Sequence, residues 1–143
     1  MSTPFKTLFD GVISKLRSTG LPGITEEQLD FMMTDFIRPA CVKFTVCRQD
    51  LSNRNDLTQQ FNITLTDEEI EILVLLMLIE YLSVNYINVP SLLKQSLTSK
   101  DFQTFSNANH LDKLMELREM YRRDARQMMS IYSNRSLSLF DSP

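Results

Sequence analysis

One segment constrains the fold more than any other, because it is apolar on every side of a helix. Thr66 and Glu69 have the spacing of a capping box, in which a hydroxyl and a carboxylate satisfy the free amides at a helix start. Residues 70–82 are apolar apart from two glutamates. A helix of this kind must be surrounded by others. We therefore predict a helix from residue 67 to about residue 85 at the centre of the core.

Two amphipathic segments precede the central helix. In residues 3–18, apolar residues recur at spacings of three and four, which is typical of a helix with one buried face. A second capping box, Thr25 to Gln28, predicts another helix start. Pro39 has no amide hydrogen and crowds the preceding turn, so we expect a kink or a break near Arg38. The apolar spacing then resumes and favours more helix, at Ala40, Cys41, Phe44 and Val46.

A long helix is predicted near the C-terminus, beginning at residues 107–110 and ending near residue 132. Its apolar face comprises Leu111, Leu114, Leu117, Tyr121, Ala125, Met128 and Tyr132. Residues 50–56 indicate a polar loop, and residues 133–143 have no helical periodicity. The predicted fold is all-α, a compact helical bundle around a central apolar helix with a long C-terminal helix. Residues 1–132 form its single domain, and residues 133–143 form an extended C-terminal tail.

Length and charge narrow the class of protein. A chain of 143 residues suits one domain. Its net charge of −3 argues against a general nucleic-acid binder, which usually carries a large basic excess. The strongest apolar run, residues 72–79, is far shorter than the ~20 residues of a membrane span. Residues 1–17 lack the continuous apolar core of a signal peptide. We expect a protein made in the cytoplasm with no membrane partner.

The chain has little material for a catalytic or metal site. Cys41 and Cys47 are its two cysteines and His110 its one histidine, which is too few soft ligands for zinc. Three glycines cannot form a glycine-rich phosphate loop. The acidic runs at helix starts are explained by capping and by the helix dipole. We expect no enzyme activity, no cofactor and no metal site, and we expect both thiols to be reduced and structural.

Two features indicate contacts with other molecules. Four arginines lie within about two turns of the last helix, Arg118, Arg122, Arg123 and Arg126. They are either a solvated face with intrahelical ion pairs or an interface with an acidic partner or with DNA phosphates. In the tail, three apolar residues alternate with polar ones, Leu137, Leu139 and Phe140. Such a segment is either a frayed terminus or a strand that adds to a partner's sheet edge.

Two stretches of sequence carry a family resemblance. Residues 61–87 read FNITLTDEEIEILVLLMLIEYLSVNYI, and residues 99–133 read SKDFQTFSNANHLDKLMELREMYRRDARQMMSIYS. Together they resemble small structural proteins of tailed bacteriophages, in the neck or head–tail connector (adaptor) group. The shared pattern is an acidic-capped apolar helix, a phrase from Asp101 to Leu111, and a long charged helix that ends in Tyr132 and Ser133.

The resemblance implies an all-helical adaptor in the virion neck, between capsid and tail. Such subunits form a homo-oligomeric ring, commonly twelve-fold, that binds the portal protein and other neck or tail-completion proteins. The ring continues the DNA channel, and an acidic wall would let DNA pass without sticking. The four arginines would meet acidic side chains or line the channel, and the tail would bind the portal or the next neck protein. The alternative is a small helical regulator that binds DNA or a protein, although no helix-turn-helix is visible after Gly23.

Overall fold

A computed structural model describes residues 2–19, 26–84 and 108–141, and the side chains of residues 2–16, 33–84 and 112–135. Within these ranges the protein is mostly helical, with a small antiparallel sheet. The helices are α1 (Phe5–Thr19), α2 (Glu26–Lys43), α3 (Asp67–Leu82) and α4 (Ala108–Asp141). The strands are β1 (Thr3–Pro4), β2 (Arg54–Asn55) and β3 (Gln60–Phe61).

The central helix α3 is confirmed, together with its capping box. The Thr66 hydroxyl accepts the Glu69 amide hydrogen at 3.2 Å, and the Glu69 carboxylate accepts the Thr66 amide hydrogen at 2.9 Å. All of α3 from Ile72 to Ile79 is buried. Helices α1, α2 and α4 each pack against it. The α-helix runs to Leu82 and a π-helical turn follows at Ser83 and Val84, whereas the predicted end near residue 85 lies outside the described residues.

Helix α1 packs closely on α3. Its six predicted apolar positions are all buried, Phe5, Leu8, Phe9, Val12, Ile13 and Leu16. At the contact, a Cβ atom on Gly11 would lie 2.8 Å from Cγ2 of Val74, a distance that real Cβ atoms essentially never show. Gly11 is therefore required for the close approach of the two helices and not for a turn.

Of the two outcomes expected near Arg38, a kink or a break, the break does not occur, because α2 continues through Pro39 to Lys43. Buried residues lie on both sides of the proline, Phe36 and Ile37 before it and Ala40 after it. The Phe36 ring contacts Tyr81 of α3 edge-on, with 6.3 Å between ring centroids. Tertiary packing on both sides therefore outweighs the hydrogen bond that proline removes. The further helix expected after Pro39 ends at Lys43, before Phe44 and Val46.

The all-α prediction is corrected by a three-stranded sheet of order β1-β3-β2. β3 pairs antiparallel with both neighbours, so that Phe61 lies opposite Thr3 and Arg54. The Thr3 hydroxyl also accepts the Leu65 amide hydrogen at 2.9 Å, which ties β1 to the start of α3. Strands of two residues are too short for an alternating pattern. Residues 50–56, predicted as a polar loop, therefore contain β2, which the sequence pattern could not indicate.

The extended tail is also corrected, because α4 continues to Asp141. Residues 133–141 contain neither glycine nor proline, and each residue added to an existing helix contributes one backbone hydrogen bond. Arg135 Nη1 lies 2.9 Å from Oε2 of Glu68, which holds this part of α4 against α3. With 34 residues, α4 is about 51 Å long, roughly twice the length of α3.

Candidate interface on the last helix

Helices α3 and α4 run antiparallel, and contacts at both ends fix their register. Arg118 Nη1 donates to the Ser83 hydroxyl at 3.1 Å, just beyond the C-terminal end of α3. Arg135 contacts Glu68 at the N-terminal end. Because α4 begins ten residues before Arg118 and continues to Asp141, it extends beyond α3 at both ends. Among its described side chains, those of residues 112–135, α4 buries Leu114, Tyr121, Ala125 and Tyr132.

The structure places the four predicted arginines in three different environments. Arg118 faces α3, and its Nε is buried without a hydrogen-bond partner among the described residues. Burial, together with the charge of Arg122, lowers the pKa of the Arg118 guanidinium. Arg122 and Arg126 lie on one flank of α4, whereas Arg123 is exposed on the outer side. The cluster predicted from sequence is therefore not a single surface.

Arg122 and Arg126 share one carboxylate. Arg122 Nη1 lies 2.7 Å from Oε1 of Glu119, and Arg126 Nη2 lies 4.0 Å from its Oε2. The hydrogen bond from Arg122, reinforced by the charges of Arg126 and Arg118, lowers the pKa of Glu119. The intrahelical ion pairs expected for a solvated face are thus present. One carboxylate cannot neutralise two guanidinium groups, however, so this flank is positively charged.

A groove of about 430 Å³ runs along this positive flank, between α4, α3 and the end of α2. Its apolar lining is Leu76, Ile79, Ala125 and Met129, and its charged lining is Lys43, Glu119, Arg122 and Arg126. Lys43 forms an ion pair with Glu80 of α3. We call this site the basic groove. Its combination of an apolar floor with cationic edges suits a partner that carries apolar and acidic side chains together.

A buried polar network lies at the other end of α3, and sequence reasoning missed it. The side chain of Glu69 is only 1% exposed. Its Oε2 accepts the Tyr132 hydroxyl at 2.7 Å, and its Oε1 accepts Gln49 Nε2 at 2.6 Å and the Thr66 amide. Burial alone would raise the pKa of Glu69. The hydrogen bonds from Thr66, Tyr132 and Gln49 outweigh it and hold that pKa below its ordinary value.

Tyr132 joins three parts of the fold in this network. Its hydroxyl accepts the Arg48 amide hydrogen at 2.9 Å while donating to Glu69. The Arg48 guanidinium lies 4.1 Å from the Tyr132 ring centroid, and the Phe44 ring contacts it edge-on at 5.3 Å. Burial, with the neighbouring carboxylate, raises the pKa of Tyr132 to about 12. Arg48 and Gln49 carry no sequence signal for this role, because they lie in an irregular segment.

The two cysteines lie in and just after α2, whereas the predicted tail residues lie at the end of α4. Cys41 and Cys47 are free and half-buried, and burial raises the pKa of Cys41 to about 11, which disfavours its thiolate. The tail positions Leu137, Leu139 and Phe140 lie in the last helical turns of α4, and their side chains fall outside the described set. A strand addition by this segment would require the helix to unwind.

Neither a metal-binding cluster nor a membrane-spanning helix occurs in the described ranges. No three histidine, cysteine, aspartate or glutamate side chains in them lie close enough together to hold a metal ion. None of the helices there combines the length and the apolar character needed to cross a membrane. Comparisons with protein-family models, with curated proteins and with solved structures gave no significant match.

Proposed function

We propose that the chain is an adaptor subunit of a tailed-phage neck that forms a ring joining the portal to the tail and catalyses nothing. The observation that carries the proposal is α4, a helix of about 51 Å that α3 covers along only part of its length. Among the described residues, a helix that extends past α3 at both ends can present surface for neighbouring subunits. The resemblance of residues 61–87 and 99–133 to neck proteins supports the same function.

In the proposed mechanism the chain acts by binding neighbouring proteins of the neck. The basic groove beside Arg122 and Arg126 offers one contact surface to a neighbouring subunit. The net charge of −3 suits a ring through which DNA passes without being held, because like charges repel at the channel wall. The end of α4 is the proposed contact with the portal or with the next neck protein. Leu137, Leu139 and Phe140 lie there, beyond the ion pair of Arg135 with Glu68.

The test is stoichiometric capture by a purified portal ring. We expect the full chain to co-sediment with the portal in a fixed ratio. A chain that ends at Tyr132 keeps the Glu69 hydrogen bond and should fold, but it should be lost from the complex. The triple variant Leu137→Ala, Leu139→Ala, Phe140→Ala should also be lost. A matched control, Ser136→Ala with Ser138→Ala, changes the same turns without removing apolar side chains and should be retained.

Two results would contradict the proposal. If the full chain does not bind the portal, the neck function is contradicted. Binding of the chain to duplex DNA would then favour the helical regulator. If the truncated chain is captured as well as the full chain, the end of α4 is not the contact. Circular dichroism of each variant ensures that loss of capture is not loss of folding.

A further inference from the structure

The two flanks of α4 differ in charge although they belong to one helix. Each residue turns an α-helix by about 100°, so residues two positions apart lie about 160° apart around the axis. Asp124 is therefore nearly opposite Arg126, and Met120 is nearly opposite Arg122. Arg122 and Arg126 line the basic groove. The other flank, defined by Met120, Asp124 and Ile131, is here called the acidic flank.

The acidic flank exposes apolar side chains around a carboxylate. Met120 is 41% exposed and Ile131 is 46% exposed. Asp124 lies between them and is exposed, and Glu116 is exposed one turn before Met120. Neither carboxylate has an ion pair within the described ranges. Among the described residues, two cations lie near this flank. Lys113 is about 10 Å along the axis before Met120. Lys15 of α1, which is ion-paired with Glu71, lies close enough to act on Tyr121.

The acidic flank and the basic groove match in length, polarity and charge. Met120 and Ile131 are about 16 Å apart along the axis, and the α4 border of the groove, from Glu119 to Met129, spans about 15 Å. Apolar side chains on the flank correspond to Met129, the half-buried apolar side chain of the groove. The Asp124 carboxylate corresponds to the guanidinium groups of Arg122 and Arg126, which among the described residues pair with Glu119 alone.

From this match we infer that the acidic flank of one copy docks into the basic groove of a second copy. The inference rests on the proposed function, because it takes the chain to be a self-assembling subunit. The two surfaces are different and lie on nearly opposite sides of one helix, so the contact is head-to-tail. Repetition of such a contact closes a ring when its rotation closes, and otherwise gives a filament.

A second copy fits the groove better than nucleic acid does. Phosphates would pair with Arg122 and Arg126, but they would leave the half-buried apolar side chain of Met129 in the groove without an apolar partner. Duplex DNA would also leave Met120 and Ile131 of the acidic flank in water. Docking of one copy on the next would cover Met120 and Ile131 of one copy and Met129 of the other. It would also pair the charges of Asp124 and Arg126.

The test is a charge exchange between two positions of the same chain. Asp124→Arg and Arg126→Glu each place like charges across the proposed contact. We expect each to raise the dissociation constant of self-association by about tenfold or more at low ionic strength, because like charges across an interface repel. The double variant should restore association to near the level of the native chain. Mass photometry over a concentration series measures all four proteins.

Mixing the two single variants makes the test specific for a head-to-tail contact. The arginine at 124 of one variant then meets the glutamate at 126 of the other, and the native Asp124 meets the native Arg126. The mixture should assemble although neither variant assembles alone. The matched control is Arg123→Glu, an identical charge change on the outer side of α4, and it should leave self-association unchanged.

Three outcomes would overturn the inference. They are a native chain that stays monomeric at every concentration, single reversals that assemble normally, and a double variant or mixture that is not rescued. None of them decides the neck function, which portal capture tests separately. If the charge-exchange variants behave as expected but the chain does not bind the portal, the inference about self-association stands and the neck function is contradicted.

Discussion

At the scale of single residues, Tyr132 and Glu69 could be predicted only in part. The spacing of α4 places Tyr132 on the buried face, and the capping box fixes Glu69 at the start of α3. Neither pattern indicates that the two side chains meet, because they are 63 residues apart in the chain. Their other partners, Arg48 and Gln49, lie in a segment without periodicity. A pairing across such a separation depends on how the helices pack and has no local signal.

Removing the Tyr132 hydroxyl should destabilise the fold. In Tyr132→Phe, a buried carboxylate oxygen of Glu69 and the Arg48 amide each lose a hydrogen-bond partner. The free energy of unfolding should fall by about 1–3 kcal/mol, the range for a buried polar group that is left unpaired. Urea denaturation followed by circular dichroism measures it.

Tyr121→Phe is the matched control for this measurement. It makes the same chemical change on the same face of α4, but no hydrogen bond of the Tyr121 hydroxyl occurs among the described residues. It should leave stability nearly unchanged. Equal losses in both variants would mean that the network around Glu69 contributes nothing specific.

At the scale of elements, periodicity predicted the long segments well and the short ones poorly. The buried stripe of α1 and the cap of α3 follow local rules that a single sequence displays. The strands β1, β2 and β3 have two residues each, which no alternating pattern can reveal. In α2, tertiary packing overrides the local preference of Pro39. The end of α4 was mispredicted because an alternating polar and apolar pattern was taken for a tail.

The contact of α1 with α3 gives a test at this scale. Gly11→Ala places a methyl group against Val74, so the free energy of unfolding should fall by about 1–3 kcal/mol, as for other overpacked cores. Val74→Ala removes the clashing group. The double variant should therefore lose less stability than the sum of the two single variants, a coupling that denaturation curves of all four proteins measure. Strict additivity would show that α1 moves away from α3 without strain.

At the scale of the whole molecule, the Glu69 network connects the segment after α2 with α3 and α4, so its ionisation affects the complete fold. Burial of the α3 surface was predictable from sequence, because an all-round apolar helix requires neighbours on every side. The antiparallel register of α3 and α4 was not predictable, since it depends on contacts such as Arg118 with Ser83 and Arg135 with Glu68.

The protein should lose stability in acid through Glu69. Its pKa in the folded state lies below the ordinary value of 4.5, so the folded protein binds the proton less well than the unfolded chain. The ionised Glu69 carboxylate stabilises the fold fully above the pKa that Glu69 has in the unfolded chain. This stabilisation is lost as the pH falls towards the lower pKa that Glu69 has in the folded state. The measurement is the free energy of unfolding between pH 7 and pH 3.

Glu69→Gln removes this titration, so its stability should depend less steeply on pH below about 5. The comparison is with Glu116→Gln, at a carboxylate that is exposed on α4. That variant should follow the acid dependence of the native chain. Identical acid profiles for the Glu69 and Glu116 variants would exclude Glu69 as a source of the acid sensitivity.

The order of the elements along the chain has a consequence for biosynthesis. The most apolar helix, α3, leaves the ribosome roughly 60 residues before the end of α4 that holds Tyr132 and Arg135. At ordinary elongation rates this delay is about 3–12 s, which is long compared with local helix formation. During that interval, the side of α3 that α4 later covers stays exposed to solvent. The nascent chain, and not the finished fold, is therefore the state in which this protein is most exposed to aggregation and to chaperone binding.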